Sequence, residues 1–311
     1  MRHLILRRLL QALPVLIGIT LVTFSMVHLV PGDPARALAG QRATPQILAS
    51  IRHQLGIDKP LVTQYWHFIS GLPRGQLGYS FLLHQTTDAL VLARLPTTLF
   101  LVIYGVLIAI VLGVPLAMIS AVRKESLLDH GIKGTLVVGL GLPSFWIGLL
   151  LVGFLALRLG WFPVGGAGSG FIGHLWHLFL PALTLALSFL AVLVRNLRAS
   201  LIEVMDTDFV SLAVLKGIPR LRVYTRHVMR NALIPAVTII GLNLSYLLGA
   251  SVVVESVFSV DGIGNTLVNA VLSRDYQLVQ GLALVFGVLV LLITLTVDIT
   301  HAGLSPRGEM A

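Results

Sequence analysis

The chain has 311 residues, of which 56% are hydrophobic and 11% charged, and a mean hydropathy of +0.91; these values exclude an ordinary soluble domain and define an integral membrane protein. Twenty-two Lys and Arg against thirteen Asp and Glu give a formal charge of +9, but the basic residues flank apolar runs, so membrane orientation accounts for them and nucleic acid is not implied as a partner. The chain has no cysteine, which removes disulfides, thiolate metal sites and cysteine nucleophiles from consideration.

Residues 1–8 carry Arg2, Arg7 and Arg8 ahead of an apolar run, 9–30. That run is long enough to cross the bilayer, and no small-residue cleavage site precedes Pro31, so it reads as a first span and not a signal peptide. Pro31-Gly-Asp-Pro34 breaks the helix where it leaves the membrane. Residues 31–96 form a polar loop with a helical pattern over 45–55, and Tyr65, Trp66 and Phe68 suit a segment at the interface. From 97 to 311 the chain is a transmembrane core whose apolar runs are 97–122, 134–157, 178–194, 235–254 and 281–297. Each is about long enough to cross roughly 30 Å as a helix. The expected fold is all-α with six transmembrane helices. Pro115, Pro143 and Pro181 lie in or at the start of spans, and Gly139, Gly141 and Gly148 allow close helix packing.

Between the fourth and fifth spans lies a polar island, 195–234. Its middle, from Asp206 through Phe209 and Ser211 to Gly217 and Pro219, scans as one short helix. Thr207 or Asp208 is placed to cap its start, Gly217 to take the left-handed position after its end, and Pro219 to prevent its resumption. A second helix follows, with Arg222, Arg226 and Arg230 as a basic stripe and Leu221, Val228 and Ala232 on an apolar side, the pattern of a helix lying on a membrane surface. The plainest account is a positively charged cytoplasmic loop.

Short loops on one side collect Arg2, Arg7, Arg8, Arg123, Lys124, Lys133, the basic residues of 195–234 and Arg307, against Arg158 and Arg274 on the other. Both termini are therefore expected in the cytoplasm. No phosphate-binding Gly-x-x-x-x-Gly-Lys-Ser/Thr loop occurs, so ATP chemistry would need a partner. No metalloprotease His-Glu-x-x-His occurs either, and Ser144 has no ionisable base in a neighbouring span, which disfavours an intramembrane enzyme. The absence of Asp, Glu, Lys or Arg near any expected midplane argues against an ion-driven carrier and for an external energy source.

An ordered series of motifs carries a family resemblance. It runs Pro31-Gly-Asp-Pro34; Leu55-Gly-Ile-Asp-Lys-Pro60 with Gln64-Tyr65; Gly75-Gln-Leu-Gly78-Tyr-Ser80; Arg94-Leu-Pro-Thr-Thr-Leu99; Ser211-Leu-Ala213 with Gly217 and Asn231-Ala-Leu-Ile-Pro235; and Glu255 with Phe258, Gly262, Gly264 and Arg274-Asp-Tyr276. This resembles the permeases of binding-protein-dependent ABC importers of type I, in the dipeptide, oligopeptide and nickel branch, over nearly the whole chain. Ser211 and Leu212 stand where the family's loop has Glu and Ala, and Ser305-Pro-Arg307 where the family usually has Asp-Pro-Arg.

The resemblance implies a prokaryotic inner-membrane transport subunit, with ATP and Mg2+ on partners and no cofactor in this chain. Those partners would be a second homologous permease, two ABC ATPases and an extracytoplasmic substrate-binding protein, around a lipid bilayer. The cargo would be dipeptides or oligopeptides, with nickel or another small solute as the alternative. It further implies an ATPase-coupling loop containing Asp208, Ser211, Leu212, Ala213, Lys216, Gly217, Arg222, Arg226, Asn231 and Pro235. Asn243, Tyr246 and Ser251 are polar candidates for the pathway lining or for bonding a neighbouring helix. Glu255, Phe258, Arg274 and Asp275 are candidates for binding-protein contact, and Glu255 could instead pair with Arg274.

Overall fold

The structure is a computed structural model that describes residues 2–29, 35–36, 43–80 and 82–304. The Pro31–Pro34 turn and the Ser305–Arg307 tail lie outside these residues. The chain divides into two compact units, Met1–Thr98 with Asp261–Leu292, and Leu99–Val260 with Ile293–Ala311.

The first unit begins with α1 (Arg2–Leu29). Two short helices follow, α2 (Pro45–Leu55) and α3 (Leu61–Gly71). Thr44 starts α2 by accepting a bond from the Ile47 N–H at 3.4 Å, with Pro45 pre-set for the first helical position. α3 is fastened to α1 by the Tyr65 hydroxyl, 3.0 Å from Thr20 Oγ1, and by edge-to-face contact of Tyr65 with Phe24 at 5.3 Å. A two-residue ladder, β1 (Tyr79–Ser80) against β2 (Gln85–Thr86), then leads directly into α4 (Thr87–Val122).

Leu90 and Val91 of α4 pack with Ile263 and Ala270 of α12 (Ile263–Leu272) and Leu278 and Leu282 of α13 (Tyr276–Leu304). Gly281 is a point of close approach: a Cβ there would lie 2.4 Å from the Leu77 carbonyl oxygen. The Thr98 hydroxyl oxygen accepts from the Ile263 N–H at 3.0 Å and so satisfies a donor at the start of α12 that no local side chain reaches.

The second unit is organised on α8 (Phe179–Met205), the most buried of the long apolar helices. Leu180, Leu185, Phe189, Leu193, Leu197 and Leu201 recur along it and are all within 1% of full burial. Around it stand the rest of α4, then α5 (Leu127–Leu140), α6 (Ser144–Leu151) with a π-helical end Val152–Arg158, and α7 (Gly170–His177). Next come α9 (Asp208–Leu215), α10 (Arg220–Arg222), a π-helical stretch Val223–Val228, and α11 (Met229–Val257). Phe162, stacked on Phe179 at 4.8 Å and tilted against Trp176 at 4.8 Å, holds the 160–177 connection against the start of α8.

Several elements differ in extent from the apolar runs that announced them. Helix α4 starts at Thr87 and passes through Pro96, and α8 continues to Met205 because Leu197 and Leu201 prolong its buried face past the first arginines. The third run is two helices bent by 104° at Gly141-Leu-Pro143. Pro143 lacks an N–H and disfavours a helical conformation at Leu142, so one helix ends there and another begins. The second polar-island helix does not lie apart on a surface; it runs without a break into the fifth span, from Arg220 to Val257. Among the described residues four helices, Thr87–Val122, Phe179–Met205, Pro235–Val257 and Tyr276–Thr300, are long and apolar enough to cross a membrane, and the bent pair brings the count to five when it is taken as one span. The described apolar part of α1, Leu10–Ser25, is shorter. The fold is therefore all-α, with a span count close to the six expected.

Candidate functional site

Helix α9 and its flanks form the most distinctive surface of the second unit. Thr207 occupies the cap position with an extended ψ of 150°, yet its hydroxyl donates back to the Val204 carbonyl at 2.6 Å and caps no N–H of α9. The expected side-chain cap is thus absent; Asp208 in the first turn still places an acid against the positive end of the helix. The other end closes as the glycine pattern requires. Gly217 has φ +77°, its N–H donates to Val214 O at 2.9 Å, and the Ile218 N–H donates to Ala213 O at 3.3 Å. This paired closure satisfies the last carbonyls and needs a left-handed residue at Gly217.

The inner side of α9 is anchored: Val210 is buried and Ala213 packs beside it in a cluster with Leu197, Leu201, Val223, Val228 and Ala232. The outer side is apolar and uncovered. Phe209, Leu212 and Leu215 are 44, 56 and 82% exposed and three residues apart, hence on one face, with Asp208, Ser211 and Lys216 exposed around them. Arg222, Arg226, Arg230, Asn231 and Pro235 are exposed as well, and the Asn231 side-chain amide is tied to His227 O at 2.7 Å. Leu221 is exposed while Val228 and Ala232, expected on the same side, are buried, because the π-helical stretch after Arg222 shifts the register of the later residues relative to Leu221.

Next to this surface is a buried charge network that sequence reasoning missed. Asp129, fully buried, takes both Arg198 Nε (2.9 Å) and Nη2 (2.7 Å) in a two-pronged pair, Lys133 Nζ at 3.1 Å and the Glu125 N–H at 3.0 Å, and also accepts from the Ser120 hydroxyl. It ties the end of α4 and the start of α5 to α8, which shares Leu197 and Leu201 with the α9 core. Ser126 followed three residues later by Asp129 is a cap signal visible in the sequence, and the Asp129 N–H does donate to Ser126 Oγ at 3.2 Å. The partner Arg198 is 69 residues away and has no local signature.

The remaining sequence candidates do not converge with α9. Asn243 Nδ2 donates to Ile239 O (2.8 Å) and Ser251 Oγ to Leu248 O (2.8 Å), so both are bonded within their own helix, while Tyr246 is 60% exposed. Glu255, Phe258 and Asp275 are buried, whereas Arg274, at φ +59°, is exposed.

The chain is thus a helical membrane core with a short, stopped helix presenting an apolar face beside a basic stripe. Residues 113–309 match the model of the binding-protein-dependent transport system inner membrane component, and residues 1–102 that of the corresponding N-terminal component. The chain belongs to this family. It is 38% identical over 307 residues to the glutathione transport system permease protein GsiC of Escherichia coli O6:H1, covering 98% of each chain. The counterpart from Salmonella choleraesuis is 37% identical over 307 residues, again with 98% of each covered. Among solved structures, an inward-facing crystal form of the MetNI methionine ABC transporter matches with a TM-score of 0.57 at 16% identity, covering 70% of this chain and 96% of that one; this likeness is one of fold. The protein is a multi-pass inner-membrane permease subunit of a binding-protein-dependent ABC importer, and not an enzyme.

Proposed function

We propose that this subunit imports small peptides, glutathione-like tripeptides among them, and is driven through α9 by separate ATPases. The observation that carries the coupling role is the uncovered face of Phe209, Leu212 and Leu215 on a helix whose opposite side is anchored in the core. Such a face is stable in water only at a cost, and burying it on a partner recovers roughly 25 cal/mol per Å2. Peptide cargo is supported by the names of the 38% identical relatives.

In this reading the chain forms half of a pathway with a homologous permease, receives cargo from an extracytoplasmic binding protein, and keeps both termini in the cytoplasm. Partner ATPases bind ATP and Mg2+. Their closure moves α9, and the rigid attachment of α9 to α8 and to the root of α11 carries that motion into the spans, changing which side the pathway faces. Arg222, Arg226 and Arg230 supply a positive border to the docking face.

The test is ATP-dependent uptake of dialanine and of S-methylglutathione by the assembled transporter in proteoliposomes. Leu212→Glu places a charge in the docking face and is expected to lower ATPase co-purification and uptake at least tenfold, about 1.4 kcal/mol or more of association energy. Uptake driven by a proton gradient without ATP would overturn the reading, and uptake of nickel in place of either peptide would reassign the cargo.

A further inference from the structure

The first unit holds a cleft of about 660 Å3 between the turn that follows β1 and helices α4 and α12. Its walls are apolar at Leu82, Leu83, Leu272 and Leu278, and its polar groups converge from α4 and α12. Helix α12 buries Ile263, Thr266 and Ala270 and turns Asn269 and Leu272 outward into the opening. That size and that mixture of apolar walls with a few placed polar groups belong to a site for a small organic solute.

Two charges in this cleft are uncommitted. Arg94 is half-buried, and its Nη1 donates to Thr266 Oγ1 at 2.5 Å, a neutral hydroxyl whose own proton goes to the Gly262 carbonyl at 2.6 Å. Among the described residues no carboxylate pairs with Arg94, and none of the basic groups pairs with Asp261 at the rim. Asp275, by contrast, is already satisfied by the Ser80 hydroxyl and the Leu278 N–H. The Asn269 side-chain amide donates to Asn265 Oδ1 at 3.2 Å, and both residues line the cleft. A partly desolvated guanidinium with only a neutral partner favours a carboxylate, which it can hold with two parallel bonds. A ligand with one charge would answer Arg94 or Asp261 and leave the other; a zwitterion answers both.

We propose that this cleft binds small zwitterionic peptides, the α-carboxylate on Arg94, the α-ammonium on Asp261 and the peptide group against Asn265 and Asn269. The inference rests on the peptide-importer reading and adds a second place of contact on the permease itself. In the proposed orientation the loop that follows the fifth span is external, and Asp261 and α12 belong to it. The cleft would receive cargo as the binding protein releases it.

The chain has no native cysteine, so Leu272→Cys in the assembled transporter in lipid nanodiscs gives this subunit one maleimide-reactive thiol in the cleft. Dialanine or S-methylglutathione is expected to slow its labelling by a factor of about 1 + [L]/Kd, on the order of tenfold at ten times Kd. N-acetyl-dialanine amide, which lacks both charges, should give no protection, and Arg94→Gln in the same background should remove protection by dialanine. A Lys59→Cys control should label at one rate throughout.

Equal protection by the capped peptide, or none by either free peptide, would overturn the site. Protection only when binding protein is added, with or without peptide, would also overturn it and mark a protein-docking groove instead. ATP-dependent uptake of the same peptides is measured in parallel. Uptake without protection defeats the cleft alone, absence of uptake defeats the peptide reading, and protection without uptake leaves the cleft standing.

Discussion

Asp129 shows how much one side chain can hold in place. A fully buried carboxylate loses its hydration, and this one recovers it through Arg198, Lys133, Ser120 and the Glu125 N–H. Removing Arg198 takes away the two-pronged partner and leaves Lys133, Ser120 and the Glu125 N–H on the carboxylate, so Arg198→Ala is expected to destabilise the subunit by about 1–3 kcal/mol. Arg198→Lys should recover only part of this, since an ammonium cannot reproduce the two-pronged geometry. Denaturant unfolding of the purified subunit in detergent checks both, and equal stability of Arg198→Ala and the parent would show that the network carries no load. The sequence displays the local half of this device, Ser126 three residues before Asp129, because a cap is made by near neighbours. It hides the other half, because nothing local to Arg198 says what it faces.

Among the elements, α9 was the most legible and its closure the most testable. Gly217 could be assigned a left-handed role from its place after an apolar helix and before Ile218-Pro219, and its φ of +77° agrees. A Cβ there would meet nothing within 4 Å, so any penalty for substitution comes from the backbone and not from crowding. Gly217→Val should therefore cost on the order of 1–3 kcal/mol of local strain, and Gly217→Asn much less. In the coupling reading, the valine variant inserts and expresses normally but loses ATPase association and uptake, while the asparagine variant keeps most of both. Wild-type association and uptake in Gly217→Val would refute the coupling role. Two other elements were less readable. The bend at Gly141-Leu-Pro143 was marked by its proline, but a proline within an apolar run is equally compatible with an unbroken span, as Pro115 in α4 shows. The π-helical stretch Val223–Val228 leaves no sequence mark, so the exposure of Leu221 could not be read from a regular 3.6-residue period.

For the molecule as a whole, the basic residues in the short loops predict orientation. Reporter fusions near Lys216 and after Leu304 should be cytoplasmic, and fusions near Gln76 and Gly262 external, as read by paired alkaline phosphatase and fluorescent protein activities. Cytoplasmic fluorescence from the Gln76 fusion would reverse the model. What the sequence determined by itself was the membrane class, the all-helical fold, the approximate number of spans, the family and the short stopped helix. The family was carried by the resemblance of its ordered motifs; the rest follow from composition, from apolar length and from turn chemistry, which act between residues near one another in the chain. Only the tertiary structure decided that α8 is the central helix of its unit, that Glu255 and Asp275 are turned inward, that Asp129 meets Arg198, and that Arg94 stands in a cleft without a carboxylate partner among the described residues. Those outcomes depend on which surfaces meet when distant segments pack. The pattern of a single helix records that a face will be buried, but not which residue of another helix will bury it.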